Sequence, residues 1–117
     1  MKKDKHIEKS IQWAKKKGFS KFRADLDGFD DPINFTRSSD QVEFAPDLTA
    51  VSRNNRKHYF HVTLKKEETE DTLSQIKLYH KLAKAKDGKL YLMAPMGNLR
   101  YARDISKKLE MAEVIRI

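Results

Sequence analysis

Cysteine is absent from this 117-residue chain, which excludes both disulfides and thiolate zinc sites. No apolar run approaches the roughly 18 residues of a membrane span. The first residues, Met1-Lys2-Lys3-Asp4-Lys5-His6, lead into an amphipathic pattern and not into the apolar core of a signal peptide. A soluble cytoplasmic protein without membrane contact is expected. Glycine and proline number only four and three, and all but Pro46 stand where a helix ends or a turn is read. There is no repeat and no low-complexity segment. The length fits one domain over residues 1–117, enough to bury a real core.

Positive charge is what the chain has in excess. Lys plus Arg outnumber Asp plus Glu by 25 to 17, giving a net charge of +8 and a pI near 9.7. Such a balance favours a polyanionic partner, nucleic acid first among them, although basic charge also serves solubility alone.

Hydrophobic spacing lays out the elements. Ile7, Ile11 and Ala14 recur at helical intervals after Asp4, a suitable N-cap, and before Lys15-Lys16-Lys17 and Gly18, so a helix is expected over residues 4–17. Between residues 19 and 40 one or two short strands flank the turn signal Gly28-Phe29-Asp30-Asp31-Pro32. Residues 42–51 read as a strand, with Phe44, Leu48 and Ala50 on one face and Glu43, Asp47 and Thr49 on the other. Pro46 makes it locally irregular there or places it near an edge, since proline has no ladder donor. After a turn at residues 52–55, the run 57–65 alternates Phe60, Val62 and Leu64 against Tyr59, His61, Thr63 and Lys65. A hairpin with a shared polar face is expected.

A helix over residues 69–86 follows, with Glu70 and Asp71 in its first turn, Lys81, Lys84 and Lys86 in its last, and Gly88 beyond it, all suited to the helix dipole. Its buried stripe is Leu73, Ile76, Tyr79 and Ala83. Then come an apolar strand at 90–94, a turn at 95–97, a helix over 98–109 on Ala102, Ile105 and Leu109, and a closing strand at 114–117. The natural packing is an α/β sandwich whose mixed central sheet is covered by crossover helices.

In this order the residues resemble the PD-(D/E)XK nuclease superfamily, whose core runs helix, three-stranded meander, helix, strand. The resemblance covers nearly the whole chain, though its specific residues are few. The family's aspartate matches Asp47 in Phe44-Ala45-Pro46-Asp47. Its lysine matches Lys65 in His61-Val62-Thr63-Leu64-Lys65. The acid of the motif falls on Thr63, a departure from the pattern. Gln75 and Tyr79 are similar to the QxxxY element of the RecB-type branch, and Glu8 stands where the family often has a helical glutamate. Size, and the stretch from Lys17-Gly18-Phe19 to Arg23, also resemble archaeal Holliday-junction resolvases, so a homodimer is implied. What the resemblance implies is a restriction-endonuclease-like αβββαβ core acting on nucleic acid, DNA first.

Hydrolysing a phosphodiester needs hard cations on oxygen ligands, and a lysine to orient the attacking water or to stabilise the charge of the pentacovalent oxygens. Two carboxylates ordinarily hold the ion. With Thr63 the site keeps one, so Mg²⁺ or Mn²⁺ would bind at Asp47 weakly, if at all. Glu67, Glu68, Glu70 and Asp71 follow closely and are the acids that a migrated motif would use. Glu43 lies four residues from Asp47, roughly 13 Å along a strand, too far to share an ion.

Each residue also has a plain structural reading. Asp47 after proline is a turn signal, Lys65 a solvated strand end, His61 a half-exposed strand histidine and Gln75 a partner for buried polar groups. Trp13 reads as a core or dimer anchor. Arg100, Arg103 and Lys107 recur at i, i+3, i+7 as a basic row on the last helix, which is either a wet face or a phosphate contact. The expectation is a PD-(D/E)XK-like domain that binds nucleic acid without cutting it. An active metal-dependent nuclease using another acid, and a protein-binding module, are the alternatives.

Overall fold

Ile7, Ile11 and Ala14 fall on one stripe with Ser10, and burying that stripe fixes helix α1, Asp4–Lys16, against a sheet. In the computed structural model, which describes residues 3–36, 38–41, 43–109 and 112–117, Asp4 is the first helical residue. The cap position belongs to Lys3, so Asp4 is not the N-cap. Gly18 adopts φ +87°, a conformation that suits glycine. It lets the Gly18 and Phe19 amides donate to Lys15 and Ala14 and close the helix.

Strand β1 (Ser20–Ala24) runs antiparallel to β4 (Leu48–Val51), and β4 antiparallel to β5 (Lys57–Val62). Helices α2 (Glu70–Ala85) and α3 (Leu99–Lys108) are the crossovers that make β5, β6 (Leu90–Ala94) and β7 (Glu113–Arg116) parallel neighbours. The result is an α/β fold with a five-stranded mixed sheet, order β1-β4-β5-β6-β7. Alternating strand residues feed two cores. Leu48, Ala50, Phe60, Val62 and Met93 meet Ile7, Ile11 and Ala14 of α1. On the other face Tyr59, Leu90, Leu92 and Ala94 meet Ile76, Tyr79 and Ala83 of α2 and Ala102 and Ile105 of α3. At Gly88, past α2, a Cβ would stand 1.8 Å from the Lys57 carbonyl oxygen, so the link into β6 passes only without a side chain.

Residues 42–51 do not form one strand. Val42 lies outside the described residues. Glu43–Phe44 is a short strand, β3, paired with β2 (Phe35–Thr36) in a separate ribbon, and the main-sheet strand starts only at Leu48. Pro46 supplies the reason, having no N–H to continue a ladder. Phe44 consequently packs on Tyr79, their ring centroids 6.2 Å apart, in the α2 core and not with Leu48 and Ala50. Residues 57–65 are also shorter as a strand than expected: β5 stops at Val62, and Lys65–Glu67 form a 3₁₀ turn. The alternation of Tyr59, His61 and Thr63 against Phe60, Val62 and Leu64 holds, but the polar set is buried beside α2.

Candidate functional site

Asp47 stands at the entry to β4, where the chain leaves the β3 ribbon. One carboxylate oxygen, Oδ2, gathers three groups: the Val62 amide at 2.8 Å, the Lys3 ammonium at 3.2 Å and His61 Nδ1 at 3.4 Å. Its backbone carbonyl accepts from the Asp25 amide. Lys3 Nζ also lies 3.2 Å from Glu67 Oε1. One ammonium therefore bridges two carboxylates brought together from the β4 entry and the 3₁₀ turn.

Thr63 is buried, and its hydroxyl donates to the carbonyl of His61 on its own strand at 3.2 Å. Its amide donates to Met93 of β6. Lys65 is exposed on the 3₁₀ turn. Its amide donates to Asn98 Oδ1, and its side chain lines a cavity of about 720 Å³ with His6, Lys9 and Lys66. The cation paired with Asp47 is Lys3. Sequence patterning gave no sign of Lys3, because its place is set by how α1 docks across the sheet.

His61 is buried, not half-exposed as the sequence suggested, at 7% of its accessible surface. Burial pushes its pKa down to about 4, against the upward pull of Asp47. At neutral pH the ring carries no charge. Tyr79 is buried among Phe35, Phe44, Tyr59 and His61. Its hydroxyl has no hydrogen-bond partner among the described residues, and burial, then Asp47, raises its pKa. Gln75, one turn earlier on α2, is half-buried. Glu8 is exposed on α1 and borders a groove with Arg116. Arg100, Arg103 and Lys107 are exposed on α3, across the sheet from α1. Trp13 packs by its edge against Phe19 and Phe60.

This donor set does not fit a divalent ion well. Thr63 donates its hydroxyl hydrogen to the His61 carbonyl and carries no charge, and the Lys3 ammonium already stands between Asp47 and Glu67. Among the described residues no three His, Cys, Asp or Glu side chains converge where an ion would be held. No protein-family model, curated protein or solved structure matches this chain. Among the described residues no helix is long and apolar enough to cross a membrane.

Proposed function

We propose that this protein is a PD-(D/E)XK-like, nucleic-acid-binding domain that does not hydrolyse its ligand. The observation that carries this reading is the Lys3 ammonium 3.2 Å from Asp47, with Thr63 buried and bonded to its own strand where the motif's acid would stand. The main-sheet order, helix, three antiparallel strands, helix, strand, agrees with the resemblance, and so does the position of Asp47 beside the end of β5. Nucleic acid is favoured by the net charge of +8 and by exposed cations on α1, α3 and the 3₁₀ turn. Fold alone assigns no function, so the reading rests on the site.

Binding to duplex, single-stranded and branched DNA at low salt, followed by incubation with Mg²⁺ and Mn²⁺, tests it. Binding that weakens steeply with salt, and DNA that stays intact, is the expected result. Cleavage in Mn²⁺ overturns the non-hydrolytic part. No binding to any of the three overturns the nucleic-acid part and leaves a protein-binding module.

One observation favours a second reading, an active metal-dependent nuclease whose second acid is Glu67. Asp47 and Glu67 each lie 3.2 Å from the same Lys3 nitrogen, so a cation does stand between two carboxylates. On that reading Lys3→Ala opens the site and Mn²⁺-dependent cleavage appears. On the first reading Lys3→Ala stays inert towards DNA.

A further inference from the structure

The carboxyl ends of the three parallel strands open into one cationic depression. Leu64, Lys65 and Lys66 follow β5, Pro95, Met96 and Asn98 follow β6, and Ile117 follows β7. With His6 and Lys9 of α1 they enclose the cavity of about 720 Å³. In open α/β sheets ligands collect outside the carboxyl ends of the strands. Here β5 is antiparallel to β4 on one side and parallel to β6 on the other, so the carboxyl ends of β5, β6 and β7 lie at one edge of the sheet.

A second depression, of about 620 Å³, runs along α1 past Lys5, Lys9, Gln12 and Lys16 to Arg116, and shares Lys9 and Ile117 with the first. The two therefore adjoin at Lys9 and Ile117 and are taken together as one channel. Lys5, Lys9, Gln12 and Lys16 follow one another at helical spacing along α1. Eleven residue steps from Lys5 to Lys16 cover about 16 Å of helix, roughly the rise of five nucleotides of one strand in a duplex. Glu8 is the acid that interrupts the cationic lining. The floor is partly apolar, and Met96 is 95% exposed at its rim.

We infer that this channel seats the sugar-phosphate backbone of a nucleic-acid strand, with Lys5, Lys9, Lys16, Lys65 and Lys66 on successive phosphates. The inference rests on the nucleic-acid reading and adds to it a second, concave contact surface, across the sheet from Arg100, Arg103 and Lys107. The phosphodiester backbone is the occupant because the lining is a row of cations at intervals, and backbone phosphate is a row of anions at intervals. His6 supports it from inside the channel. Its Nδ1 is buried without a hydrogen-bond partner among the described residues, and burial, then Lys9, Lys66 and Lys3, holds its pKa below the usual histidine value. A phosphate beside these lysines reverses that field.

The test compares the native chain with two triple variants, Lys5→Ala/Lys9→Ala/Lys16→Ala and Arg100→Ala/Arg103→Ala/Lys107→Ala. Each is titrated into fluorescein-labelled single-stranded and duplex DNA across a salt series, with circular dichroism confirming the fold. The α1 triple variant is expected to bind at least about tenfold more weakly, with a log–log salt slope shallower by about two to three. In the native chain the His6 ring resonances should titrate at higher pH once DNA is bound. If native protein binds DNA and the α1 triple variant matches it within about twofold, the channel is not the seat, while the nucleic-acid reading stands. If the native chain binds no DNA, both fall. Equal binding to poly-glutamate or to phosphatidylserine-rich vesicles, lost in the same variant, overturns the choice of occupant.

Discussion

The carboxylate of Asp47 accepts the backbone amide proton of Val62 at 2.8 Å. In the β4–β5 ladder Leu48 faces Phe60 and Thr49 faces Tyr59, so two further steps would set Pro46 opposite Val62. The ladder ends before that point, and the Asp47 side chain takes over the acceptor's role. Asp47 thus holds the end of β5 in place whatever else it does.

Asp47→Ala should therefore cost about 1–3 kcal/mol of stability, because the Val62 amide loses its acceptor in a partly buried place. Asp47→Asn keeps a carbonyl oxygen there and should cost less. Urea denaturation of both variants measures the difference. Equal losses would show that pairing with Lys3, and not the hydrogen bond, dominates.

Stability should fall with acid through His61. In the folded protein its ring takes up a proton only near pH 4, whereas an unfolded histidine does so near 6.5. Between those values the unfolded chain binds the extra proton, so stability is fully present above about pH 6.5 and declines as pH drops towards 4. The loss should be on the order of 3 kcal/mol at most. Denaturation midpoints measured across this window should flatten in His61→Gln; an unchanged slope would assign the effect to other groups.

Tyr79→Phe should leave stability unchanged or raise it by up to about 1 kcal/mol. The hydroxyl is buried without a partner among the described residues, and removing an unsatisfied polar group removes its desolvation cost. The ring remains stacked on Tyr59, their planes 9° apart. A thermal melt decides it, and a loss beyond about 1 kcal/mol would show that the hydroxyl is bonded after all.

Thr63→Glu puts a carboxylate at the position that the resemblance assigns to the motif's acid, one residue from Val62, whose amide Asp47 holds. Calorimetry should show little or no Mn²⁺ binding by the native chain and at least about tenfold tighter binding by the variant, roughly 1.4 kcal/mol. Asp47→Ala in that background should abolish the gain. The new charge enters a buried position, so the metal-free variant should also be less stable. Adding Lys3→Ala should strengthen Mn²⁺ binding further, since the ammonium competes for the same carboxylate.

Most of the fold is legible in local patterns. The stripe Ile7, Ile11, Ala14 and the signals around Glu70 and Gly88 place α1 and α2 to within a residue or so, because helix periodicity and end signals act over a few residues. Residues 42–51 depart furthest from their pattern, beyond the early end of β5 at Val62. Their alternation continues through Pro46, but a ladder needs a donor at every second step and a partner strand that stays alongside. The partner changes there, from β2 to β5.

The chain's own residues determined the α/β order, the basic balance and the presence of Asp47, Thr63 and Lys65 at their spacing. Tertiary structure alone decided what those residues meet. Lys3 and Asp47 are 44 residues apart, and Lys65 and Asn98 33; no local period encodes either pairing. The docking of α1 across β4 and β5 puts the Lys3 ammonium on Asp47, the crossover through α2 closes His61 and Tyr79 away from water, and β5 ends at Val62, which puts Lys65 on the 3₁₀ turn beside the cavity. Charge and hydrogen-bonding capacity are written in the residues. Which charge a carboxylate faces depends on helices and strands packing across the sheet, and that is settled only when the cores on its two faces are buried together.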